Sequence, residues 1–118
     1  MGTDENLQTA FAGESQANRK YTAFSRKAEQ EGFTNIAQLF KAAAEAETVH
    51  ALSHLRTMKQ VESTNENLKT ALEGEVYEHN KMYPEFIKEA ESENRNSAKI
   101  TFNYANQVEK IHADLYQF

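Results

Sequence analysis

Two strings in this chain share a spacing that suits metal chemistry: Glu47-Thr48-Val49-His50 and Glu109-Lys110-Ile111-His112. Residues three apart on a helix stand about 60° apart on one face, so each pair offers a carboxylate and an imidazole to one point. Upstream of each string lies a second acid beside a glycine, Gly13-Glu14 and Gly74-Glu75. Carboxylate oxygens and neutral imidazoles suit divalent iron or manganese. One Glu-x-x-His is weak evidence, because acidic helices produce it by chance. Two of them, each preceded by a glutamate on the preceding helix, form a strong constellation.

The elements that must position these groups are helices. Only one proline and four glycines punctuate the chain, and no stretch alternates with the period of a strand. The pattern predicts a first helix from about Glu5 to Glu31, ended by Gly32. Thr34 is expected to cap a second, running to Met58. After a polar link, Lys59 to Thr64, Ser63 and Glu66 read as a capping box for a third helix reaching Glu93. Asn94-Arg95-Asn96-Ser97 breaks the pattern, and Ser97 is expected to cap the fourth helix. Pro84 is expected to kink the third.

The chain repeats itself. Residues 5–14 and 66–75 are identical at seven of ten positions, at an offset of 61. Further on the offset is 62: Ala28-Glu29 matches Ala90-Glu91, Phe40 matches Phe102, Glu47 matches Glu109 and His50 matches His112. Each half is therefore one helical hairpin, and the second copy carries one extra residue. Gly13 and Gly74 recur with the repeat. They point either to close helix approach or to a relic of duplication.

On each helix a glutamate interrupts the apolar stripe. The stripes read Leu7, Ala10, Phe11, Glu14, Ala17, Tyr21, Phe24; then Ile36, Leu39, Phe40, Ala43, Glu47, His50, His54. In the second half they read Leu68, Ala71, Leu72, Glu75, Glu78, Met82, Phe86; then Ala98, Phe102, Ala105, Glu109, His112, Tyr116. Converging carboxylates repel one another and are costly to bury. No lysine or arginine lies on these stripes to neutralise them, so a metal is expected. One Glu from each of two helices with Glu-x-x-His from each of two others is the donor set of di-metal carboxylate bundles. His79, four residues after Glu75, also lies near this face. His54 reads as a packing or edge residue.

The totals limit the alternatives. A chain of 118 residues suits one domain, 1–118. Without cysteine it has no disulfide, zinc finger or iron–sulfur centre. A net charge of −5 argues against a nucleic-acid footprint. No run approaches the roughly 20 apolar residues of a membrane helix, and no signal peptide opens the chain. The expectation is a cytoplasmic protein.

The strings E-N-L-Q-T-A-F-A-G-E-S-Q-A, A-E-T-V-H-A, G-E-V-Y-E-H-N-K-M-Y-P and A-N-Q-V-E-K-I-H-A-D-L-Y resemble the rubrerythrin family over nearly the whole chain. The resemblance implies an all-α, ferritin-like four-helix bundle with two irons, or manganese, bridged by an oxo or hydroxo group or by peroxide. It implies a peroxidase that reduces hydrogen peroxide to water in oxidative-stress defence; a ferroxidase or oxygen-dependent oxidase is the alternative. Glu14 would be a terminal ligand of the first iron, Glu47 and Glu109 bridges, and Glu75 and His112 ligands of the second. The Gly-Glu-x-x-Glu pattern adds Glu78, and the first iron would exchange Glu78 for His50 on reduction. The family favours Glu78 over His79 as the extra ligand. Tyr21 and Tyr83 match family tyrosines whose hydroxyls can donate to a ligand; ordinary core filling explains them equally well. Rubrerythrins usually carry a cysteine-bound rubredoxin domain, which sulerythrin-type members lack. Electrons would then come from an external donor such as rubredoxin or an NAD(P)H-dependent reductase, unless the domain has been cut away.

The polar link also bears on assembly. It spans at most about 20 Å, whereas a 20-residue helix is ~30 Å long. A homodimer that exchanges hairpins is the expected way round this limit.

Overall fold

The computed structural model describes residues 2–117, so the two ends of the expected domain, Met1 and Phe118, lie outside the described residues. The described chain is all helical. It divides into two compact units, Met1–Val61 and Glu62–Phe118, each one helical hairpin.

The first hairpin pairs α1 (Thr3–Gln30) with α2 (Thr34–Thr57). Gly32, at φ +85°, turns the chain: the Phe33 N–H bonds the Ala28 carbonyl at 2.8 Å and the Gly32 N–H bonds that of Glu29 at 3.1 Å. This left-handed stop satisfies carbonyls at the helix end, and glycine adopts it without strain. The pairing surface is a seam of buried alanines, Ala37, Ala44 and Ala51 on α2 with Ala28 on α1. The three on α2 recur every seven residues, which keeps them facing one partner helix. Small side chains leave the α2 carbonyls within reach of α1. Ser25 Oγ donates to the Ala37 carbonyl, and Asn18 Nδ2 to that of Ala44, each at 2.7 Å. Such bonds contribute about 1 kcal/mol each.

The second hairpin contains α3 (Thr64–Tyr77), a five-residue π-helical turn (Glu78–Met82), α4 (Tyr83–Ser92) and α5 (Asn96–Leu115). The continuous third helix expected from the sequence is thus interrupted. The reason lies in the repeat. Its offset is 61 at Glu75 and already 62 at Tyr83, so the extra residue falls within 76–82, where the π turn sits. A π turn holds one more residue than an α turn and returns the helix to phase afterwards. Pro84 lies in the first turn of α4, immediately after this break. There its missing N–H costs least.

Beyond the insertion the hairpins match. Tyr21, Phe24 and Phe40 form an aromatic cluster with ring centroids 6.2, 6.1 and 5.5 Å apart. Tyr83, Phe86 and Phe102 repeat it at 6.1, 6.1 and 5.4 Å. Asn94, at φ +56°, stands where Gly32 stands, and Arg95 N–H bonds the Ala90 carbonyl at 2.9 Å.

Ser63 caps α3, accepting from the Glu66 N–H at 3.3 Å. The reciprocal bonds come from Asn67, which pairs with the Glu62 backbone, rather than from Glu66. Two expected caps are corrected. The N-caps of α2 and α5 are Phe33 and Arg95, without side-chain caps, so Thr34 and Ser97 lie inside their helices. Gly13 and Gly74 do not mark close helix approach: a Cβ at either would meet nothing within 4 Å. No helix among the described residues is long and apolar enough to cross a membrane.

Each hairpin leaves apolar side chains in water. On α5, Ile100, Tyr104, Val108, Ile111 and Leu115 form one stripe, 43–67% exposed. It flanks the stripe that carries Glu109 and His112.

Candidate metal centre

In the first hairpin, Glu14 of α1 faces Glu47 and His50 of α2. One donor atom from each lies within 4.8 Å of the others. His50 Nδ1 is 2.8 Å from Glu14 Oε1. In the second hairpin, Glu75 of α3 meets Glu109 and His112 of α5 within the same limit. His112 Nδ1 lies 3.2 Å from Glu75 Oε1 and 3.7 Å from Glu109 Oε1. The structure therefore assembles six of the singled-out residues into two equivalent triads, one per hairpin. The acids are half-buried rather than fully enclosed, and His50 is exposed.

Glu78 stands on the π turn, where the first hairpin has Ala17 in α1. It is hydrogen bonded to Glu109, and this shared proton is the main reason its carboxyl is raised to about 7; burial and the Glu109 charge add to it, while His112 opposes it. Two carboxylates so close cannot both ionise freely. Glu78 thus joins the second triad. His79, the rival for that role, is turned elsewhere. Its Nδ1 lies 2.9 Å from Asn106 Oδ1 and 3.1 Å from the Asn106 carbonyl. In the first hairpin Asn18 takes the corresponding place, bonding the carbonyl of Ala44.

Tyr21 and Tyr83 sit in the aromatic clusters, and neither hydroxyl makes a hydrogen bond among the described residues. The Tyr83 hydroxyl is raised above its ordinary range by burial and then by the charges of Glu78, Glu109 and Glu75. It therefore keeps its proton beside the second triad.

Sequence reasoning missed one contact. His54 Nε2 lies directly against Glu14 Oε2. The signal was present as a second histidine one turn beyond His50, but its repeat counterpart is Tyr116, so the duplication drew no attention to it.

The donor set fits a pair of divalent cations. Glu14 Oε2 and Glu75 Oε2 are buried oxygens without an aligned hydrogen-bond partner. Such orphaned acceptors cost free energy unless a cation or a donor meets them. Glu14 Oε2 lies against His54, and Glu75 Oε2 meets no second imidazole among the described residues.

The family model for rubrerythrin matches residues 5–118. Rubrerythrin-2 of Clostridium acetobutylicum is 36% identical over 129 residues, covering 98% of this chain and 70% of its own length. Nigerythrin of Nitratidesulfovibrio vulgaris is 37% identical over 128 residues, covering 97% of this chain and 63% of its own. The solved fully reduced, all-ferrous state of nigerythrin aligns at 35% identity over 98% of this chain and 65% of that one, with a TM-score of 0.48. The chain thus spans about two thirds of the length of the relatives it matches. With a match running from Glu5 to the last residue, the chain belongs to the rubrerythrin family.

Proposed function

We propose that the protein is a non-haem di-iron peroxidase that reduces hydrogen peroxide to water, drawing electrons from an external donor. The observation that carries this reading is the pair of matched triads, Glu14/Glu47/His50 and Glu75/Glu109/His112, with an extra carboxyl, Glu78, added to one of them. Reduction of one peroxide takes two electrons and two protons and yields two waters; two iron ions would supply the electrons, each passing from ferrous to ferric. The six triad residues would hold the ions, and the buried Oε2 atom of Glu75, without a hydrogen-bond partner among the described residues, is free to face one. Glu78, with its pKa about 7, carries a proton for much of the time at neutral pH. A carboxyl that can hold a proton beside the ions could serve as a general acid.

Each triad is half of the donor set, so two hairpins must come together. The exposed apolar stripe on α5 supports such an association, because a face of that size is stable in water only when covered. With only residues 58–63 between α2 and α3, exchange of hairpins between two copies is the reading we adopt. A metal-loaded monomer at micromolar concentration in light scattering would contradict it.

The test of the activity is anaerobic. Ferrous-loaded protein is mixed with one equivalent of peroxide per iron pair, and separately with dioxygen. Fast, stoichiometric oxidation by peroxide supports the peroxidase. Faster oxidation by dioxygen would replace it with an oxidase or ferroxidase. Failure to retain any iron after reconstitution would remove the metal reading altogether.

A further inference from the structure

We infer that His54 is a positioning residue: it holds one oxygen of Glu14, Oε2, so that the other, Oε1, is aimed at the metal. The inference rests on the metal reading above. Two imidazoles from successive turns of α2 clasp the Glu14 carboxylate, His50 Nδ1 on Oε1 at 2.8 Å and His54 Nε2 on Oε2. They do not play the same part. His50 belongs to the group whose donor atoms lie within 4.8 Å of one another, with Glu14 and Glu47; His54 does not. His54 therefore meets Glu14 through the oxygen that His50 does not contact, as a partner outside the triad rather than a third ligand.

This division has a chemical consequence. A cation in the first triad competes with His50 for Glu14 Oε1 and takes both groups as ligands. Glu14 then keeps one protein partner, His54. A carboxylate ligand restrained through its free oxygen keeps its orientation, and such outer partners commonly change metal affinity 10- to 100-fold. The second hairpin has no equivalent. The matching position is Tyr116, whose ring packs against His112 with centroids 6.3 Å apart and which makes no hydrogen bond to a carboxylate among the described residues. Neither Glu14 Oε2 nor Glu75 Oε2 makes a hydrogen bond among the described residues, but only Glu14 Oε2 has an imidazole against it there. His54 thus makes the two ends of the centre unequal, strengthening the end that holds Glu14.

The test is an anaerobic titration of the full chain with cobalt(II), followed by its visible absorption and by calorimetry, for wild type, His54→Phe and His54→Gln. Wild type is expected to take up two cobalt ions per chain. His54→Phe, which fills the space without a donor, should weaken one binding step by roughly 10- to 100-fold and leave the other within about twofold. His54→Gln restores an N–H donor and should recover most of the loss. Two unchanged steps in His54→Phe would overturn the inference and leave the histidine a packing residue. Loss of one ion in both variants would also overturn it, by making His54 a ligand. If circular dichroism shows His54→Phe unfolded, His54→Gln decides alone: near-wild-type binding supports positioning, and a lost step refutes it. Wild type that binds no cobalt would sink the metal reading itself, a result distinct from wild type that binds two ions while the variants behave identically to it.

Discussion

In the first hairpin the carboxylate of Glu14 meets two imidazoles, His50 and His54. In the second, the equivalent Glu75 meets one, His112, while an additional acid, Glu78, binds Glu109. The scaffolds around them are otherwise the same: matched aromatic clusters, matched left-handed turns and matched Glu-x-x-His pairs. Two local changes bear directly on the triads. One inserted residue becomes a π turn that presents Glu78 where the first hairpin has Ala17. One substitution puts Tyr116 where the first hairpin has His54. A duplicated hairpin has thereby acquired a nitrogen-rich half and an oxygen-rich half, and oxygen donors suit harder cations than imidazoles do.

The largest effect should come from removing what the halves share. Glu47→Ala and Glu109→Ala each delete one triad carboxylate. Each is expected to lower the iron content from two per chain to one or none and to cut the peroxide rate at least about 10³-fold. Metal analysis with stopped-flow absorption checks both. If only Glu109→Ala has this effect, the first triad is not a working half and the comparison breaks. Next comes the residue that only the second half owns. Glu78→Ala converts it to the pattern of the first. Iron should still bind, but the reaction with peroxide should slow by about 10²-fold, the low end of what a positioned proton donor contributes. The rate with dioxygen should change less, which sharpens the difference between the halves into a difference in oxidant.

The shared scaffold gives a smaller and symmetrical prediction. Phe40→Ala and Phe102→Ala remove equivalent rings from the two aromatic clusters. These rings are half-buried, so each substitution should destabilise by about 2 kcal/mol, below the range for fully enclosed phenylalanine. Urea unfolding should give equal costs within about 0.5 kcal/mol. Unequal costs would show that the halves differ in packing as well as in chemistry.

Much of this was legible in the sequence, for physical reasons. Helix periodicity places Glu14, Glu47, Glu75 and Glu109 on the same faces as phenylalanines, and the repeat identifies the two hairpins before any coordinates. The π turn was visible only as the change of offset from 61 to 62, since a π turn has no side-chain signature of its own. The caps at Thr34 and Ser97 were misread because each left-handed turn runs straight into the next helix: Phe33 and Arg95 bond backward to Ala28 and Ala90, leaving no residue for a side-chain cap. His79 could not be separated from Glu78 by spacing alone. The structure shows what spacing does not: His79 lies on Asn106 and Glu78 beside Glu109. His54 reads from the sequence as a packing or edge residue because the repeat puts Tyr116 in its place, although it lies seven residues from Glu47 on the same stripe.

The smallest effect is a pH dependence confined to the second hairpin. In the unfolded chain Glu78 loses its proton near pH 4.5; in the folded chain it keeps it to about 7. Below pH 4.5 both states hold the proton and the contribution to stability is full. Between these values the folded state binds more protons than the unfolded one, so stability falls as pH rises. Above about 7 both states are ionised and the slope ends. Glu78→Gln removes the proton equilibrium but keeps a hydrogen-bond donor to Glu109. With chelator present, thermal unfolding of wild type should lose about 1 kcal/mol relative to Glu78→Gln between pH 4.5 and 7, allowing for the solvent exposure of a half-buried group. Curves that run parallel would mean that Glu78 and Glu109 share no proton. The second hairpin would then lack the shared proton proposed for it, and the slower peroxide reaction of Glu78→Ala would have to come from lost metal geometry instead of a lost proton.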